Sequence, residues 1–179
     1  MKLPSIDSAR FSCCLLAAVL ILSSVGCSQE EKKRNYSVPE QLCGLDVGGK
    51  LAEPFMPPGD RVHQAEEGGG VSIWHCDISV DDKAVFQMAR EWWKPGWSAR
   101  RFAPSQAYVE PEHEAADESY VYSDEGAVAA LRCTEEGNDW DLFLVARVRD
   151  AGVPDEKAMG KFITAYRAEV LKTDPCAEE

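Results

Sequence analysis

The sequence predicts an α+β domain: an antiparallel sheet of about five strands, packed by a C-terminal amphipathic helix and a short N-terminal helix, and stapled by two disulfides. Three observations carry that prediction. Apolar and polar residues alternate through VSIWHCDISV, and the stretch from Ser119 to Asp150 supplies three more strand candidates, separated by turns at Asp124-Glu125-Gly126 and Glu136-Gly137-Asn138-Asp139. A stripe at three- and four-residue steps then runs through DEKAMGKFITAYRAEVLKT. Finally, Cys43, Cys76, Cys133 and Cys176 are spread over the region without a CxxC pair, which suits bridges in an exported chain better than a zinc site.

The first residues belong to a different regime. Lys2 and Arg10 give a positive front, and the strictly apolar heart from Leu15 to Leu22 is short. A spanning helix needs about 20 apolar residues to cross the hydrocarbon layer, so residues 1–26 read as a signal peptide. Ser24-Val25-Gly26-Cys27 resembles the lipobox of bacterial lipoproteins, with Ser24 standing where Leu is usual. That resemblance implies cleavage before Cys27, acylation of that cysteine, and a lipid anchor holding the chain at the outer face of the cytoplasmic membrane. An ordinary secretory signal with a coincidental cysteine is the alternative. Residues 27–40, largely SQEEKKRNYSVPE, are polar and aperiodic and read as a linker, leaving 41–179 as a single domain.

Charge narrows the field of functions. The full chain carries −12 at pH 7, and loss of residues 1–26 removes Lys2, Arg10 and Asp7. Phosphate binding needs clustered Lys and Arg, so nucleic acid is not an expected partner. About 135 residues from Cys43 onward suit one modest core. Cys13 and Cys14 leave with the signal and Cys27 takes lipid, so four of the seven cysteines remain to pair. Cys43 and Cys176 bracket the domain, which points to Cys43–Cys176 with Cys76–Cys133; sequential pairing is the alternative.

Along the domain, Asp46 is placed to cap a short helix over VGGKLAEPF that ends at Pro54. MPPGDRV reads as a turn and AEEGGG as a flexible loop. In VSIWHCDISV, Trp74, Cys76, Ile78 and Val80 form the core-facing side. Asp81-Asp82-Lys83 turns the chain into AVFQMAREWW. A second strand there buries Phe86, Met88 and Trp92 together, although the residues at 84–93 also suit a helix. The polar, proline-rich stretch from Lys94 to Ser119 reads as a long excursion. Residues 119–150 supply three further strands. The final helix places Met159, Phe162, Ile163, Tyr166 and Val170 on one stripe, with Asp155 and Glu156 near its positive end.

Signals for chemistry are sparse. REWWKPGWSARR gathers Trp92, Trp93, Trp97, Arg100 and Arg101, a candidate aromatic binding patch for a sugar or peptide with arginines to pair an anion. The competing reading puts Trp92 and Trp93 on opposite sheet faces as packing residues. His63, His75 and His113 stand in no metal-ligand spacing, and His113 in EPEHEAADE fits a solvated acidic loop. There is no GxSxG elbow and no P-loop, and oxidised cysteines offer no thiolate. No catalytic residue, metal or cofactor is assigned.

The lipobox, VPEQLCG, WHCDISVDDK, REWW, SYVYSDEGAV and ITAYRAEVLKTDPC together resemble the small secreted lipoproteins of actinobacteria, especially streptomycetes, across the layout from Cys27 to Cys176. Those carry domains of unknown function with cysteines near both ends. The resemblance implies an extracytoplasmic lipoprotein and transfers no catalytic residue. The expected function is a non-catalytic binding or interaction module in the cell envelope, with an unidentified protein or small-molecule partner. An extracytoplasmic hydrolase is the alternative.

Overall fold

In a computed structural model, seven antiparallel strands form one sheet in the order β1-β2-β3-β7-β6-β5-β4. The structure describes residues 33–68, 72–133 and 140–176. The expected signal peptide and Cys27 lie outside them. The strands are β1 Val62–Gly68, β2 Ile73–Val80, β3 Lys83–Trp93, β4 His113–Glu114, β5 Tyr120–Tyr122, β6 Gly126–Leu131 and β7 Asp141–Val148. Two meanders, β1 to β3 and β4 to β7, are joined where β3 pairs with β7 from Phe86↔Val148 to Trp93↔Asp141. The α+β architecture is as the sequence predicts, with seven strands in place of five.

Residues 84–93 are strand and not helix. The β2–β3 turn explains the tight return: Asp81 and Asp82 both take positive φ, 49° and 63°. Two left-handed central residues make the turn whose twist matches an antiparallel hairpin, and Asp tolerates that conformation better than most side chains. The Asp81 carboxylate also accepts from the backbone N–H groups of Asp60 and Arg61, each at 3.0 Å. The same side chain therefore fixes the entry to β1.

The two additional strands have no apolar alternation to announce them. β1 lies largely in what reads as turn and loop, and its register with β2 runs from Val62↔Val80 to Gly68↔Trp74. An edge strand needs pairing on one side only and can remain polar. β4 is a two-residue ladder inside the acidic excursion.

One sheet face is covered by α3, Glu156–Leu171, and by the N-terminal segment. Asp155 caps α3, its Oδ1 accepting from the Ala158 N–H at 2.8 Å. Met159, Phe162, Ile163, Tyr166 and Val170 are all buried, as the stripe predicts. Phe55, Phe86 and Phe162 form the centre of this core: Phe55 stacks on Phe86 at 4.8 Å, and Phe162 meets Phe86 edge-on at 4.9 Å. The Tyr166 hydroxyl, wholly buried, donates to the Ala89 carbonyl at 3.0 Å.

Near the N-terminus, α1 is only Gly49–Ala52, continued by a 3₁₀ turn at Glu53–Phe55. Asp46 is not its cap. Gly48, in the left-handed region at φ 84°, takes that position without a side-chain bond. The domain also starts earlier than residue 41. Arg34 bonds Glu53 and the Met56 carbonyl, Asn35 bonds Gly59 and Asp60, and the Tyr36 hydroxyl donates to the Pro57 carbonyl. Residues 34–40, expected in the linker, are thus fastened to the domain. Gly49 is what lets them lie there, because a Cβ at that position would sit 2.1 Å from the Pro39 oxygen.

The disulfides pair sequentially, Cys43–Cys76 and Cys133–Cys176, with Cα separations of 6.0 and 5.3 Å. This overturns the expectation of Cys43–Cys176 with Cys76–Cys133, and sheet order gives the reason. Cys76 lies in β2, and Cys133 follows β6, three positions away. At about 4.8 Å per strand that is on the order of 14 Å, well beyond disulfide reach. Cys43 is instead held over the β1–β2 side, where its N–H donates to Gln64 at 2.6 Å.

The second face is covered by the excursion. α2, Ala99–Phe102, and a π turn at Ala103–Ala107 bury Ala99, Phe102, Ala103, Ala107 and Val109 against Val121, Val128, Phe143 and Val145. The loop between β7 and α3 closes instead onto the α3-side core and contains Gly152, where a Cβ would lie 2.1 Å from the Val85 oxygen and 2.6 Å from Val148. Gly152→Ala is expected to lower stability by about 1–3 kcal/mol through overpacking. Gly68→Ala, at a position with open space around it, serves as the near-neutral comparison; urea midpoints for the two variants check this.

Candidate functional site

The tryptophan-rich stretch is divided by the pleat of β3. Trp92 packs against the α3-side core, while Trp93 and Trp97 pack against the second core. Trp93 meets Trp97 at 5.7 Å and Phe102 at 5.9 Å, both edge-on, and Phe102 stacks on Phe143 at 4.0 Å. The Ser98 hydroxyl accepts from the Arg101 N–H at 3.2 Å, starting α2 so that the Arg101 guanidinium lies over the Trp97 ring at 3.9 Å. Lys94 also approaches that ring, at 5.8 Å. Arg100 turns away to Glu114 at 2.9 Å. The structure therefore brings together Trp93, Trp97 and Arg101 as a packed wall. Trp92 and Arg100 stand apart from it.

A second gathering lies on the same face, along β2, β3 and β7. Gln87 donates to Asp77 at 2.9 Å, Arg147 donates to Gln87, and Arg147 donates again to the Ala107 carbonyl at 3.2 Å. The chain of bonds pins the π turn to the sheet. Beside it, burial pushes the Glu91 carboxyl above its usual range, partly offset by the positive fields of Arg147 and His75. Burial likewise lowers the Arg147 guanidinium. His75 sits 3.3 Å from Glu67. A raised carboxyl near an imidazole is the kind of pair acid–base chemistry uses, yet Gln87, Asp77 and Arg147 are spent on one another.

The third gathering is a groove of about 650 Å³ between β5 and α3. Val121 points into the second core, so its neighbours Tyr120 and Tyr122 must point to the α3 side. Their rings lie 6.1 Å apart, tilted by 41°. β4 adds a third ring, because His113 is opposite Tyr122 in register and stacks on it at 5.1 Å. The facing wall is α3, contributing Lys157, Gly160, Lys161, Thr164, Ala165 and Ala168. Gly160 is needed there: a Cβ would meet the Tyr122 ring at 3.0 and 3.1 Å.

At one end of the groove, His113 Nε2 lies 3.0 Å from Glu156 Oε2. With Glu112, these residues offer one nitrogen and two carboxylate oxygens within 4.8 Å of one another. Such a set has ligands of the type that divalent metals take, and here the imidazole is engaged by Glu156. His63 belongs to β1 and joins none of these groups.

No family model matches the chain, and neither does any curated protein or solved structure. Sequence reading missed Tyr120 and Tyr122 as site residues, although it placed SYVY in a strand. Their i, i+2 spacing, which puts both rings on one face, was the available signal.

The position of Glu91 yields a pH test. Its folded-state pKa is raised above the ordinary 4.5. Its contribution to stability is thus fully present below that value and is lost as pH rises through the folded value. Glu91→Gln is expected to remove this loss, making the variant gain on the wild type between pH 4 and the folded pKa. Denaturant midpoints over this window check it, and parallel pH profiles would contradict it.

Proposed function

We propose that this protein is a non-catalytic binding module of the cell envelope, held at the outer face of the cytoplasmic membrane by lipid on Cys27, with the β5–α3 groove as its binding site. The observation that carries the binding reading is the row of rings, His113, Tyr122 and Tyr120, facing a helix wall of small residues across an open groove. Aromatic floors with a few polar groups at the rim suit ligand recognition by stacking and apolar contact. None of the side chains lining the groove is arranged as a nucleophile with its base.

Support for the location comes from the cysteines and the leader. Two bridges between the four domain cysteines suit an oxidising compartment. Among the described residues no helix is long and apolar enough to cross a membrane. The resemblance to actinobacterial lipoproteins agrees with that reading. The hydrolase alternative draws on Glu91 beside His75 and needs an uncommitted acid–base pair there.

Two measurements check the proposal. Intact mass of the membrane-associated chain is expected to show cleavage before Cys27, added acyl chains, and a small gain on reduction from opening two bridges. An uncut leader with all seven thiols free would end the envelope reading. For the groove, Ala168→Trp fills the exposed wall without touching the core. It is expected to reduce retention on envelope material at least about fivefold, on the scale of one lost ring contact, with melting unchanged. Equal retention would remove the groove as the site.

A further inference from the structure

We infer that the groove's ligand is an acidic glycan, its sugar rings stacked along Tyr120 and Tyr122 and its anionic groups met by Lys157 and Lys161. This rests on the groove being the binding site and names what fills it.

Charge is the first ground. The chain carries −12 overall, yet the rim of this groove holds two exposed lysines, one helical turn apart on α3. Among the described residues neither is in an ion pair, whereas Arg34, Arg100 and Lys172 all are. Glu156, the acidic residue in the lining, is paired with His113 at 3.0 Å. Two unpaired ammonium groups along the α3 wall, with the carboxylates of Glu156 and Glu112 gathered around His113 at one end, favour an anionic ligand, and lysine meets an anion as a point charge without demanding planar geometry.

Ring geometry is the second. Tyr120 and Tyr122 stand at i and i+2 of one short strand, both on its α3 side, and the groove beside them is open to solvent, so linked sugar rings can lie across both. Pyranose rings present C–H faces that pack on aromatic surfaces, with hydroxyls left to solvent at the rim.

The third ground separates a glycan from an acidic peptide. A peptide captured at a sheet edge gains affinity from main-chain hydrogen bonds. Here β4 already covers β5, with His113↔Tyr122 and Glu114↔Val121 in register and the Ala115 N–H donating to the Tyr120 carbonyl at 3.0 Å. The β5 backbone row, the one that borders the groove, is taken. A glycan needs none of it. Nucleic acid would need many more cations than two.

The test uses the full chain in detergent, titrated calorimetrically with four probes: oligogalacturonate, a sulfated oligosaccharide, maltohexaose and hexaglutamate. At least one anionic sugar is expected to bind more tightly than maltohexaose, more weakly as salt rises, and about fivefold more weakly to the Lys157→Gln/Lys161→Gln double variant, the scale of two exposed ion pairs. Both lysines are exposed, so the variant is expected to fold, and unchanged melting confirms it. Equal binding of neutral and anionic sugars, with no effect of the double variant, would overturn the acidic ligand while leaving the groove in place. Binding of hexaglutamate alone, or of no probe, would overturn the glycan. Retention of Ala168→Trp on envelope material then reports separately whether the groove binds anything.

Discussion

The fold depends on the pairing of β3 with β7. Eight residue pairs, Phe86 to Trp93 against Val148 to Asp141, join two meanders that otherwise share no strand contact in the sheet. These central strands are covered on both faces. Phe86 and Met88 serve the α3-side core, while Ala89, Phe143 and Val145 serve the other. Isolated hairpins are marginal in water, so each meander needs the seam to place its apolar side chains under a cover. The chain between these two sequence-distant strands is the excursion that forms the second cover, and Arg147 bonds that cover back to β7's own face. Pairing and covering therefore reinforce each other.

From this seam the groove follows geometrically. α3 lies on the first face and crosses above β5 and β6, where the sheet narrows to a three-residue strand and a two-residue edge. A short strand offers few side chains with which to fill the space beneath a 16-residue helix. Tyr120 and Tyr122 fill it partly, and Gly160 lets one of them slide against the helix backbone. What remains open is the aromatic floor. A full-length strand with aliphatic residues at these positions would have closed it into core.

Much of this architecture was legible in the residues, and the parts that were not share a cause. β2, β3 and α3 bury a regular side, so Cys76, Ile78, Phe86, Met88 and the stripe from Met159 to Val170 fall at the spacing their elements require. β1 was hidden because an edge strand is held by its backbone ladder and by polar side-chain bonds such as Trp74 to Glu66 and His75 to Glu67, leaving VHQAEEG free to be polar. The disulfide pairing was hidden because it depends on strand order, which alternation does not encode. Asp46 looked like a cap by residue type, but left-handed Gly48 follows it and takes that place. The groove was least legible of all. Tyr120 and Lys161 lie 41 positions apart in the chain, and only the crossing of α3 over β5 puts them on opposite walls.

The fastening of residues 34–40 sets how far this module can operate. Six residues, 28–33, stand between Cys27 and Arg34 in the sequence, and seven Cα steps span at most about 25 Å. Under the proposed acylation of Cys27, that distance would hold the globule in a thin shell above the bilayer, at high local concentration there and out of reach of anything farther away. Had residues 34–40 not been docked, the same anchor would have allowed a wider-ranging receptor.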